Sequence, residues 1–304
     1  MDGIINVYKE AGFTSHDVVA KLRGICRQKK IGHTGTLDPQ ATGVLPVCLG
    51  SATRACEMLT DRTKEYVAEL LLGKITDTQD TTGTVLEERE VAVDEEQVCE
   101  VIGSFVGGYD QIPPMYSALK VNGKKLYELA RAGKEVERQA RHVDLPAIEI
   151  LEIRLPVVKF RVECSKGTYI RSLCADIGGK LGCGGTMQSL VRTRVGEFRL
   201  TDALTLTQLQ ELRDTGRLEE ALLPTDRIFA DFNTVHVEEK WRKLIDNGNA
   251  FYPGQTMEQT TYPVGEWVRV YREDDSFVGI YAYDGAKEWY KPVKIFPSNT
   301  ESRK

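Results

Sequence analysis

Apolar residues recur along this chain in helical and strand rhythms, and the rhythm predicts the element. Over residues 15–25, Val18, Val19, Leu22 and Ile25 fall on one helical face, with Ser15 placed to cap it. The apolar run Val44 to Leu49 predicts a strand. After Ser51, the expected cap of a second helix, Ala52, Ala55, Cys56 and Leu59 return at helical spacing. Residues 65–72 alternate so that Tyr66, Ala68 and Leu70 share a strand face, and Gly73 ends it. Asp94 and Gln97 form a capping box ahead of Val98, Val101, Ile102 and Phe105. Ile112-Pro113-Pro114 is a rigid bend, Asn122-Gly123 signals a turn, and 124–132 reads as a helix stopped by Gly133. Val158, Phe160, Val162 and Cys164 alternate as a half-buried strand. Lys166-Gly167-Thr168 then turns the chain into a helix bearing Ile170, Leu173, Cys174, Ile177 and Leu181. Thr205 with Gln208 makes another capping box, and Pro224 closes that helical stretch.

Hairpin-linked strands with interspersed helices, and no regular strand–helix–strand repeat, predict an α+β fold around a mixed, mostly antiparallel sheet. Past a boundary near residue 230, Trp267 to Tyr271, Phe277 to Tyr281 and Lys291 to Phe296 are short strands. They predict a small β-barrel module of about 70 residues, a size that is marginal alone. The expected organisation is a larger domain over 1–230 and a β-rich module over 231–304.

Composition narrows the class. With 41% apolar residues in 304 the chain can build a real core, and no apolar run reaches membrane-spanning length. The N-terminal residues lack the basic and apolar regions of a signal peptide, so a cytoplasmic protein without a membrane partner is expected. Seven cysteines, Cys26, Cys48, Cys56, Cys99, Cys164, Cys174 and Cys183, are spread without a C-x-x-C pair. Neither zinc nor a disulfide framework follows, and buried reduced thiols are expected. The net charge is -5, yet Lys21, Arg23, Arg27, Lys29 and Lys30 crowd together. So do Lys120, Lys124, Lys125, Arg131, Lys134, Arg138 and Arg141. Such clusters suit a polyanion, although each is equally readable as a solvated face.

The candidate chemistry lies in residues 32–45, Gly-His-Thr-Gly-Thr-Leu-Asp-Pro-Gln-Ala-Thr-Gly-Val-Leu. One carboxylate, Asp38, stands between turn-forming glycines and before Pro39, which biases it away from helical backbone. A phosphate-cradling loop needs G-K-[ST]; here Thr36 and Leu37 follow Gly35. A purely structural turn is the competing reading.

This run resembles the signature of the TruB family of tRNA pseudouridine synthases, G-H-x-G-x-L-D-P-x-A-x-G-x-L, at every non-wildcard position. Asp61 to Tyr66 is similar to the family's D-x-[ST]-K-x-Y, and Cys164 to Arg171 resembles C-S-x-G-T-Y-I-R. Lys9 to Ser15 resembles K-P-x-G-x-[ST]-S, with Glu10 where proline is usual. The segment Thr76 to Asp80 is also similar to a family segment, with Asp80 read as structural. The resemblance implies Asp38 as nucleophile, Tyr66 stacked on the flipped base and active in later proton transfer, and Arg171 in a bidentate pair that keeps the acid ionised. It implies that His33 contacts RNA, that Tyr169 walls the pocket, that Leu190 borders the base through its backbone, and that Lys9 and Lys166 bind substrate. It further implies a C-terminal PUA-like RNA-binding module, and isomerisation of uridine 55 in the TΨC stem-loop of tRNA. A role in tRNA folding and a monomer needing no protein partner complete the expectation. Breaking N1–C1′ and rejoining through C5 involves no redox step and no group transfer, so no cofactor or metal is expected. The rival expectation is a non-catalytic tRNA-binding or tRNA-folding factor on the same fold. A glycoside-type hydrolase lacks its second acid here.

Overall fold

The computed structural model describes residues 1–121 and 123–297. The first stretch runs β1 (Gly3–Lys9), α1 (Ser15–Ile25), β2 (Ile31–His33), β3 (Thr42–Leu49), α2 (Cys56–Thr60) and β4 (Lys64–Leu72). A hairpin of β5 (Lys74–Thr76) and β6 (Val85–Glu88) follows, then α3 (Glu95–Gly103). An insert begins at β7 (Tyr109–Gln111), carries β8 (Lys120–Val121), β9 (Lys124–Lys125) and α4 (Leu126–Arg131), and returns through β10 (Arg141–Val143). Next come β11 (Ala147–Arg154), β12 (Val157–Cys164), α5 (Ile170–Lys180), β13 (Gly185–Val195), β14 (Phe198–Arg199) and α6 (Leu206–Asp214). The last part holds β15 (Asn233–Val237), α7 (Arg242–Asp246), β16 (Trp267–Arg272), β17 (Phe277–Asp284) and β18 (Trp289–Ile295).

Eight strands form one sheet in the order β1-β3-β13-β4-β12-β11, with β2 and β14 paired at its margins. Its pairings are antiparallel except β13 with β3, where Val191 meets Thr42 and Arg192 meets Gly43. That parallel contact draws the Asp38 loop against the strand bearing Leu190. Tyr66, Ala68 and Leu70 point from β4 into one core with Phe160, Val162, Leu173 and Ile177. Val18, Val19, Leu22 and Ile25 bury the apolar face of α1 against β1, β3 and α6. Burying each such side chain contributes about 1.5–3 kcal/mol.

The fold class is the expected one, and several local expectations are corrected. Thr14, not Ser15, caps α1, in a reciprocal box with Asp17. Ser15 is buried in the first turn, and its hydroxyl accepts from Leu37 N–H at 2.9 Å. Ser51 caps no α-helix: residues 50–55 form a 3₁₀ turn and the Ser51 N–H donates to Asp2 Oδ1. Lys124 and Lys125 are strand, so α4 starts two residues later than expected. Of the expected Asn122-Gly123 turn, Asn122 lies outside the described residues; the flanking strands pair as a hairpin. Cys99 is exposed and Cys56 half-buried, while the other five thiols are buried, and all seven are free.

The C-terminal sheet runs β15-β16-β17-β18, with β15 parallel to β16. Residues 251–256 bridge its two edge strands through Phe251–Tyr290 and Val237–Thr256. No described helix is long and apolar enough to cross a membrane.

Candidate active site

The loop between β2 and β3 is held from several directions, which is why its acid has a fixed aim. Lys9 Nζ donates to the carbonyls of Glu10, Pro39 and Ala41 at 3.2, 3.0 and 2.5 Å. Gly12 N–H donates to Pro39 O at 2.9 Å, and Leu37 is sunk in the core beside Tyr66 and Leu190. Lys9 is fully buried, so the expectation that it binds substrate is corrected: it anchors the loop from beneath. Burial lowers its pKa to about 8, against the pull of Asp38.

Asp38 meets Arg171 in a two-pronged ion pair, Nε to Oδ2 at 2.9 Å and Nη2 to Oδ1 at 3.3 Å. Arg171 comes from the first turn of α5, and its side chain is 6% exposed against 38% for Asp38. Its remaining donors are satisfied by Thr78 O at 3.0 Å and Tyr116 O at 2.8 Å. Asp80 Oδ2 approaches Arg171 Nε at 4.0 Å. Read as structural in the sequence, Asp80 thus stands within reach of the same guanidinium. Burial pushes the Asp38 carboxyl above the ordinary carboxylate value, opposed by Arg171 and assisted by Asp80. The pairing was expected to keep the acid ionised; it opposes a desolvation that exceeds it.

Tyr66 is 8% exposed on β4, and burial raises its phenol, with Arg192 pulling the other way. Tyr169 is the cap residue of α5. Gln111 clasps its backbone on both sides, Nε2 to Tyr169 O at 3.0 Å and Oε1 from Tyr169 N–H at 2.7 Å. Leu190 is packed in the same core as Tyr66, its backbone paired to Ala68. His33 ends β2 at the rim of a cavity of about 430 Å³, lined also by His16, Arg23, Lys29 and Lys30. Burial lowers its pKa, aided by His16 and Arg192. Lys166 is at the surface in an ion pair with Asp61 at 2.9 Å. The structure therefore gathers Asp38, Tyr66, Arg171, Tyr169 and Leu190, sets His33 beside a cavity that none of those five lines, and turns Lys9 inward. Among the described residues no cluster of three His, Cys, Asp or Glu suits a metal ion.

Comparison with known proteins identifies the architecture. Residues 23–170 match the TruB family pseudouridylate synthase N-terminal domain, and residues 171–230 the tRNA pseudouridylate synthase B C-terminal domain. A tRNA pseudouridine synthase B from Lachnoclostridium phytofermentans is 53% identical over 97% of this chain and 100% of its own. This chain belongs to the TruB family. The Alkaliphilus oremlandii tRNA pseudouridine synthase B is 48% identical, with 97% of each chain covered. Among solved structures, a Cbf5-Nop10-Gar1 complex superposes with TM-score 0.73 at 29% identity, covering 97% of this chain and 84% of that one. An H/ACA RNP bound to a substrate RNA containing 2′-deoxyuridine gives TM-score 0.73 at 27% identity, with the same coverage.

The sequence of this TruB-family chain assigns no role to Arg192 or Gln111 and marks Asp80 as structural. A signal existed for the first: Arg192 shares the alternation of buried Leu190, and a cation on a buried face is uncommon. Gln111 lies far from Tyr169 in the chain and no local pattern marks it; Asp80 stands in a segment similar to the family's, but its approach to Arg171 joins distant parts of the chain.

Proposed function

We propose that this chain isomerises uridine 55 of tRNA to pseudouridine, with Asp38 as the reacting acid, Arg171 aiming it and Tyr66 against the extruded base. The observation that carries the reading is the fork of Arg171 on Asp38 beside a buried tyrosine, in a chain of the TruB family. The N1–C1′ bond breaks, the base turns, C5 joins C1′, the C5 proton leaves and N1 gains one. Addition at C1′, addition at C6, or removal of the 2′-proton to form a glycal each needs an ionised carboxylate. In this reading the phenol of Tyr66 acts in the later proton transfer from C5. A uridine stacked in a folded loop must be flipped out at a few kcal/mol, and in this reading His33 contacts the RNA while Tyr169 walls the pocket.

In this reading residues 1–230 are the catalytic domain and 231–304 a PUA-like RNA-binding module. The basic insert over 120–142 grips the RNA backbone, and the protein works as a cytoplasmic monomer. The test is release of tritium from tRNA labelled at uridine C5. Wild type releases label and Asp38→Ala releases none; equal release by both would refute the assignment. The rival reading, a tRNA-binding or folding factor without chemistry, predicts no release by either.

A further inference from the structure

Arg192 is 1% exposed, one of the largest fully buried side chains, and among the described residues it has no carboxylate partner. An unpaired buried cation is costly to desolvate, so one that persists calls for a compensating role. Its contacts indicate which. Nε donates to Val44 O at 2.7 Å and Nη2 to Gly35 O at 3.3 Å. Gly35 lies in the loop that carries Asp38 and Val44 lies in β3 just after it, so one planar fork joins the loop to the strand that follows it. A lysine, a point charge on a flexible stem, lacks that fork.

The backbone of Arg192 reinforces the placement. It pairs with Tyr66 on one side and with Gly43 on the other. Directly opposed residues of an antiparallel pair share a face, so Arg192 and Tyr66 project together. Gly43 has φ +106, and a Cβ there would sit 2.2 Å from Arg192 O. Loop and strand therefore meet at Arg192 with no space for a side chain between them. The cation opposes the rise that burial imposes on the Tyr66 phenol; the other groups facing that phenol are Cys164 and Asp38.

We propose that Arg192 is a positioning residue for the isomerisation: its guanidinium ties the Asp38 loop and β3 to β13, which pairs with the Tyr66 strand, and so sets the carboxylate against the phenol. The inference rests on the reading of Asp38 and Tyr66 as reacting groups. Arg192 itself is buried and acts through the groups it holds.

The experiment is steady-state tritium release from C5-labelled tRNA by wild type, Arg192→Lys, Tyr66→Phe, the double variant and Asp38→Ala, each checked for cooperative thermal unfolding. Arg192→Lys keeps the charge and loses the fork. It is expected to lower kcat about 10- to 100-fold, as a small misplacement of reacting groups does, with KM within about 2-fold of wild type. In the Tyr66→Phe background its further effect shrinks at least about 3-fold, because residues acting through one geometry are not additive. Wild-type kcat for Arg192→Lys, a loss confined to KM, or full additivity with Tyr66→Phe would each overturn the proposal. An active Asp38→Ala would instead remove the underlying reading, so the two failures are told apart.

Discussion

The Asp38 carboxyl is the residue on which two opposed effects are balanced. Burial raises its pKa and Arg171 opposes the rise. If the ionised form reacts, as proposed, activity is expected to fall as pH drops through that raised value, so the acid limb lies above the ordinary aspartate value. Replacing Arg171 with Met leaves desolvation and Asp80 with less opposition, and the limb moves to higher pH. The same change is expected to lower kcat about 10²–10³-fold, the usual effect of removing one charged donor from a preorganised site. A pH–rate profile of tritium release checks both statements; a limb that stays in place contradicts the electrostatic one.

At the scale of the element, the loop and its neighbours act as one clamp. The reciprocal cap of Thr14 and Asp17 starts α1, and Ser15 in its first turn holds Leu37 N–H. Thr14→Ala is expected to cost about 1 kcal/mol, read as a lowered midpoint in urea with unchanged slope. Gly43→Ala is expected to do far more. It forces a side chain into positive φ and against the Arg192 carbonyl, and several kcal/mol should be lost along with activity. Thermal unfolding beside the tritium assay measures it; a variant as stable and active as wild type would show that the loop moves freely.

At the scale of the whole molecule, the C-terminal sheet is joined to the larger body by a shared apolar core. Phe229 packs among Phe232, Phe277 and Phe296, in a cluster that also takes in Ile4, Val44 and Ile280. Phe229→Ala is expected to cost about 3–5 kcal/mol, and calorimetry should show one unfolding transition moving as a unit. Lys120, Lys124, Arg131, Lys134 and Arg141 of the insert are exposed, as are Lys29 and Lys30 beside the His33 cavity. On a protein of net charge -5 these local fields give tRNA binding a steep salt dependence, measured as the slope of log affinity against log salt. A flat slope would remove the electrostatic grip from the account.

The alternation that puts Tyr66 with Ala68 and Leu70, the capping boxes at Asp94 and Thr205, and the aimed acid of the Asp38 loop were all legible in the sequence. Each depends on neighbours within a few positions, where backbone geometry and short-range hydrogen bonds decide. Lys9 turned inward, Asp80 reaching the guanidinium of Arg171, the net rise in the Asp38 pKa and the place of Arg192 were decided only by tertiary structure. Those depend on desolvation and on partners brought from distant strands, quantities that exist only once the chain has closed around them.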